Sequence, residues 1–188
     1  MRMLPIALLL LGCVAPAPPP PVAPPPAPVH AEPSEPVGLP AGYVEMKPDR
    51  VMPIQGQGAL LLVDEPSNRM VPIFIGGTEA ASIDGRMRGA APPRPLTHDL
   101  LDHVLAALGG QLVQVQVDEI RDDTYIGSIY IRTKGRVIKL DSRASDAVAL
   151  AIGGHVPIYV AKKVIDEAGL DWNAVQQQIN ASSDVRGT

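Results

Sequence analysis

Twelve of the chain's 21 prolines fall between Val14 and Pro40, and this clustering decides where a fold can begin. Proline locks φ and has no amide hydrogen to give a helix or a central strand. From Pro16 to Pro28 the chain is nearly all Pro, Ala and Val, a composition that cannot bury a core and favours the extended polyproline conformation. Residues 13–42 therefore read as a disordered, Pro-rich tether. At about 3.1 Å per residue its prolines span up to ~80 Å. A proline-rich recognition motif is the functional alternative, but few charges flank the prolines to make it specific. The globular part is expected over residues 43–180, with a polar tail at 181–188.

Ahead of the tether, Arg2 precedes an apolar run from Leu4 to Leu11 that meets Gly12 and the only cysteine, Cys13. The run is far shorter than the roughly twenty apolar residues a membrane span requires, so residues 1–12 read as a signal peptide. Leu10-Leu11-Gly12-Cys13 resembles the bacterial lipobox, although Leu11 stands where a small residue is more usual. The resemblance implies lipidation at Cys13 and anchoring in the cell envelope, and Val14 in place of Asp favours the outer membrane. An ordinary secretory signal with an incidental cysteine is the alternative. Past Cys13 there is no thiol for a disulfide, a cysteine nucleophile or a zinc-thiolate site.

Beyond residue 42 the chain holds 15 Lys/Arg and 18 Asp/Glu, a formal charge of −3. Proteins that live by phosphate contacts usually show a basic face. Here Arg86, Arg88 and Arg94, or Arg132, Lys134, Arg136 and Lys139, form one only if the fold gathers them; solvated surface is the plainer reading. With one Phe, one Trp and four Tyr, a base-stacking platform has little to be built from.

The hydropathy pattern then alternates short strands and helices, an α+β class in which a mixed sheet packs against helices. Strands are predicted at 43–54, 59–63, 70–75, 113–117, 124–132, 136–140 and 157–160, and helices at 78–88, 98–108, 145–152 and 162–168. In the second helix Leu100, Leu101, Val104, Leu105 and Leu108 lie on one face at helical spacing, and Gly109-Gly110 stops it. Val113, Val115 and Val117 alternate with Gln114, Gln116 and Asp118, the mark of a half-exposed strand. Asp122-Asp123 turns it into a hairpin.

Three stretches carry a family resemblance. They are Val71-Pro72-Ile73-Phe74-Ile75-Gly76 running into Glu79-Ala80; Pro93-Arg94-Pro95-Leu96-Thr97-His98-Asp99-Leu100-Leu101; and Asp141-Ser142-Arg143-Ala144-Ser145-Asp146-Ala147-Val148 continuing to Val156-Pro157-Ile158-Tyr159-Val160. In order and spacing they resemble the bifunctional nuclease (BFN) domain, with Ala144 where the family usually has proline and Thr124-Tyr125-Ile126-Gly127 as a varied family strand. The resemblance implies a single compact BFN-like domain and degradation of DNA and RNA. The second small domain of plant members has no counterpart in this sequence.

Phosphodiester hydrolysis needs an activated water, charge stabilisation on the phosphate and a proton for the leaving oxygen. His98, Asp99, Asp141 and Asp146 are the candidate catalytic groups, and Arg94 and Arg143 the candidate phosphate ligands. Glu79, Asp99 and Asp141 would suit an oxygen-loving Mg²⁺ or Mn²⁺. Each residue also has a structural reading. Thr97 reads as an N-cap with Asp99 in the first turn of its helix; Arg143 reads as the next cap, with Asp146 third in that helix. Arg94 and Arg143 could pair with Asp99, Asp141 or Asp146 to clamp loop to helix. Ser145 reads as a helix-start hydroxyl.

Two functions remain in view. One is a metal-assisted nuclease of low sequence specificity acting on DNA or RNA outside the cytoplasm. The other is a non-catalytic binding or assembly module built on the same fold, and association with further copies of itself is compatible with either.

Overall fold

The computed structural model describes residues 37–54 and 56–184. The expected signal peptide, Cys13 and most of the tether lie outside them. An eight-stranded mixed sheet forms the frame: β1 (Tyr43–Ile54), β2 (Gln57–Asp64), β3 (Arg69–Ile75), β4 (Gln111–Arg121), β5 (Thr124–Thr133), β6 (Arg136–Arg143), β7 (Ile158–Ala161) and β8 (Leu170–Asp171). Five helices pack on it: α1 (Gly77–Met87), α2 (Thr97–Ala107), α3 (Ala144–Gly154), α4 (Lys162–Ala168) and α5 (Trp172–Asp184).

The strand order is β6-β5-β4-β7-β1-β2-β3-β8. β1 joins the two halves, pairing through Tyr43–Met46 with β7 and from Lys47 onward with β2, and its register shifts between Pro48 and Arg50. Only β4 and β7 run parallel among the described pairings, as expected where a crossover through α3 returns the chain to the sheet. Tight turns set the other registers. Asp122 and Asp123 both take positive φ (48° and 58°) between β4 and β5, and Lys134 and Gly135 do so (48° and 74°) between β5 and β6, the backbone of two-residue hairpins.

The alternation along β2 buries both of its faces. Leu60 and Leu62 enter the main core with Val71, Ile73, Val115, Val117 and the inner side of α3. Ala59, Leu61 and Val63 meet Met70 and Trp172 on the other face, covered by Val175 and Ile179 of α5. Each fully buried Leu contributes about 1.5–3 kcal/mol relative to exposure. α5 is absent from the sequence expectation and runs past Ala181, where a polar tail was expected. Its start was nonetheless encoded: Asp171 Oδ1 accepts from the Ala174 amide at 2.8 Å, an N-cap, ahead of apolar residues at 172, 175 and 179.

Two further expectations are corrected. β4 is not half-exposed: Gln114 and Gln116 are buried, Gln114 Oε1 accepting from the Gly38 amide (2.7 Å) and Gln116 Oε1 from the Tyr130 hydroxyl (3.0 Å). The segment preceding β1 and the Tyr130 side chain of β5 cover this polar face and pair the two amide oxygens, while Gln114 Nε2 is buried without a partner among the described residues. In α2 the apolar stripe, ordinarily the core side of an amphipathic helix, is largely in solvent, and the buried residue is His98.

Candidate active site

The starts of three helices meet around His98. α1 carries Glu79 in its first turn and Ser82 one turn on, α2 carries His98 as its second residue, and α3 begins at Ala144 with Arg143 as cap and Asp146 as third residue. The last arrangement is the one the sequence implied. α3 can start so close to β5 because residue 127 is glycine; a Cβ there would lie 2.9 Å from the Gln116 carbonyl oxygen and 3.0 Å from Ala144 Cα.

His98 uses both ring nitrogens. Nδ1 lies 2.9 Å from Ser82 Oγ and Nε2 3.3 Å from Asp146 Oδ1. With the ring proton on Nε2, the imidazole donates to Asp146 and accepts from the serine hydroxyl. This is the hydroxyl, imidazole, carboxylate order by which hydrolases activate an oxygen. Arg143 grips Asp146 with two bonds, Nε to Oδ2 at 2.7 Å and Nη2 to Oδ1 at 3.0 Å, and reaches Glu79 Oε1 at 3.4 Å. Burial pushes the Asp146 carboxyl up, but hydrogen bonds from Arg143 and His98 outweigh it and hold it below its ordinary range. Asp146 in turn raises the Arg143 guanidinium. These groups line one cavity of about 400 Å³ with Thr78, Pro95, Leu96 and Thr97. A second cavity of about 320 Å³ adjoins it, sharing Glu79 and Arg143 and walled by Phe74, Tyr125 and Ser145.

The other expected site residues fall elsewhere. Asp99 turns back: Oδ2 accepts from the Leu96 amide (2.9 Å) and Oδ1 from Arg86 (2.9 Å). The Leu96 amide is the main cause, and Arg86 assists it, of a carboxyl held low against the opposing effect of burial. The cap of α2 is thus Leu96, not Thr97; its side chain accepts nothing, and the side-chain bond at the helix start is the Leu96 amide donating to Asp99 three residues on. Arg94 sits exposed in the loop before α2, outside the cavity, and makes no ion pair among the described residues. Asp141 is exposed on β6 opposite Ser128 and lines neither cavity. Among the described residues no three His, Cys, Asp or Glu side chains gather closely enough to hold a metal ion; Glu79, Asp99 and Asp141 therefore form no such set.

Sequence reasoning missed Ser82 and Arg86, which share a face of α1 four residues apart. Arg86 belongs to no basic surface. Its side chain is 8% exposed, paired with Asp99 and with Asp102 (2.5 Å), and donates to the Ala149 carbonyl oxygen at 2.8 Å. This clamp ties α1 to α2 and α3, and so holds Ser82, His98 and Asp146 in register.

Residues 60–173, which span every element of the site, match the family model of the bifunctional nuclease domain. The chain belongs to the bifunctional nuclease domain family. An uncharacterized protein of Mycobacterium tuberculosis is 41% identical to it over 129 residues, 69% of this chain and 77% of that one. Bifunctional nuclease 1 of Oryza sativa subsp. indica is 25% identical over 114 residues, 59% of this chain and 34% of the rice protein. The bifunctional nuclease of Oryza minuta matches to the same extent. In this bifunctional nuclease domain the matched segment holds the relay, the guanidinium and both cavities.

Proposed function

We propose that the chain is a nuclease that hydrolyses phosphodiester bonds of DNA or RNA with little sequence preference, using the cavity around His98. The observation that carries this reading is the Ser82, His98, Asp146 relay in one cavity with Arg143, in a chain of a nuclease family. Asp146, kept ionised, orients the imidazole and compensates the charge His98 acquires. His98 draws a proton through Nδ1 from the Ser82 hydroxyl or from a water that takes its place. Arg143, with 60% of its side chain in solvent, can turn toward a phosphate. It stands where the cavity around His98 meets one walled by Phe74 and Tyr125, a layout that suits a nucleotide with its phosphate at the boundary.

Metal assistance is the finer part of the proposal. Glu79 and Asp146 are the carboxylates lining the cavity, and Mg²⁺ or Mn²⁺ is commonly held by one or two carboxylates with phosphate and water completing the shell. Lipidation of Cys13, which would place the domain at the cell envelope and the outer membrane, is proposed on the lipobox-like sequence alone.

The test is cleavage of plasmid DNA and single-stranded RNA by the purified chain, with Mn²⁺ and with a chelator. His98→Ala and Asp146→Asn should each abolish cleavage while the fold persists. Absence of cleavage by the unaltered chain on both substrates favours the assembly-module reading, which the mutual pairing of Arg143, Asp146 and Glu79 also fits; activity loss that merely tracks unfolding makes the cluster structural.

A further inference from the structure

α2 is turned inside out. Asp99 and Asp102 point inward to Arg86 and His98 is buried, whereas Leu100 (55%), Leu101 (46%), Val104 (44%) and Leu108 (75%) stand in solvent. Only Leu105 of the stripe packs on the core. The four exposed side chains leave on the order of 400 Å² of apolar surface in water, comparable to the largest patch on a typical monomer. Leu96, one turn before Leu100, continues the face, and residues 88–97 are all exposed, among them Ala90, Ala91, Pro92, Pro93 and Pro95. Together they approach the ~800 Å² per partner of a standard interface.

We infer that this face is a two-fold interface with a second copy of the chain, the two α2 helices packing antiparallel about Val104. Spacing favours self-association over another occupant. Positions three residues either side of Val104 are Leu101 and Ala107, so in an antiparallel pair the large side chain of one copy meets the small one of the other. Positions four residues away are Leu100 and Leu108, which meet each other at about 6 Å from the centre along the helix. Charge points the same way. From Leu100 to Leu108 the only exposed ionisable residue is His103, the exposed Arg88 and Arg94 lying in the flanking loop, so the helix face itself neither repels its own copy nor offers a code for a charged partner. A lipid surface is less favoured because helices that lie on membranes usually carry several Lys or Arg along the helix beside the apolar face, and α2 itself has none, the exposed Arg88 and Arg94 belonging to the preceding segment.

Sedimentation velocity on the full chain carrying Cys13→Ser should show a dimer at micromolar concentration. Val104→Glu places two like charges against each other on the axis and should weaken the dimer at least ~100-fold. Its thermal midpoint, extrapolated to low concentration, should match the parent's, because residue 104 is exposed in the single chain. Mixing Val104→Glu with Val104→Lys should restore the dimer. A parent chain monomeric at 100 µM, or a Val104→Glu variant still dimeric, would overturn the inference. So would a monomeric parent whose binding to phosphatidylglycerol vesicles is lost in Val104→Glu, which would reassign the face to a lipid surface.

Discussion

Gly153, in the last turn of α3, offers a test of the Arg86 clamp in which the sign of the effect carries the information. Glycine inside a helix is ordinarily about 1 kcal/mol worse than alanine, so Gly153→Ala should stabilise the protein if only helix propensity matters. A Cβ at 153, however, would lie 1.8 Å from Arg86 Nη1 and 3.0 Å from Asp102 Oδ2. Arg86 is a flexible side chain, but it is held by two carboxylates and the Ala149 carbonyl. The methyl must therefore displace Nη1 and forfeit at least one charge-assisted hydrogen bond, about 1.5–3 kcal/mol, leaving a net destabilisation of roughly 0.5–2 kcal/mol after the helix gain of about 1 kcal/mol. Arg86→Ala removes the cation outright. Breaking a buried pair costs about 3–5 kcal/mol, but the Asp99 and Asp102 side chains keep 25% and 31% of their surface in water, so about 3 kcal/mol is expected. With Arg86 gone the clash is gone, and Gly153→Ala in the Arg86→Ala background should then stabilise by about 0.5–1 kcal/mol. Urea unfolding of the four proteins closes the cycle. If Gly153→Ala has the same effect with and without Arg86, the clamp does not work as described.

The remaining expectations concern the site, its approach and the anchor. Asp99 and Asp146 have folded-state pKa values below their unfolded ones, so the unfolded chain binds more protons in acid, and stability rises with pH there. Their contribution should be complete above the ordinary carboxylate range near pH ~4 and be lost as pH falls through the lowered values; thermal melts of Asp99→Asn and Asp146→Asn should show a flatter acid limb, and an unchanged limb would contradict the assignment. Gly127→Ala should push α3 from β5 and destabilise by about 2 kcal/mol, read by chemical denaturation; a neutral effect would mean the helix start is free to shift. Cys13→Ala should release the protein from the membrane fraction or leave it unprocessed, and unaltered membrane retention with normal processing would remove the lipoprotein reading.

Local rules carried much of the fold. Short apolar runs bounded by turn residues located β2 and β3, alternation located β4, Asp122-Asp123 supplied the turn into β5, and the polar string before Ala147 set Arg143 as cap and Asp146 as third helical residue, because each depends only on neighbours along the chain. The cap of α5 was written in the same way at Asp171 and Ala174, but its mostly polar residues concealed a helix that only Trp172, Val175 and Ile179 anchor. What the chain alone could not decide was which face meets which. Two glutamines on β4 read as solvent-facing because polar side chains usually are, yet both are buried, with the Gly38 amide and the Tyr130 hydroxyl each pairing one amide oxygen and Gln114 Nε2 left without a partner among the described residues. Asp99 and Asp141 read as site carboxylates by type; the Leu96 amide and Arg86 claim the first, and the second remains outside the cavity. Ser82 joined His98 only when α1, α2 and α3 converged. Periodicity gives the direction of a helix's apolar face relative to its own axis, not relative to the protein, and α2 turns that face outward because Arg86, 13 residues before Asp99, draws its carboxylates in.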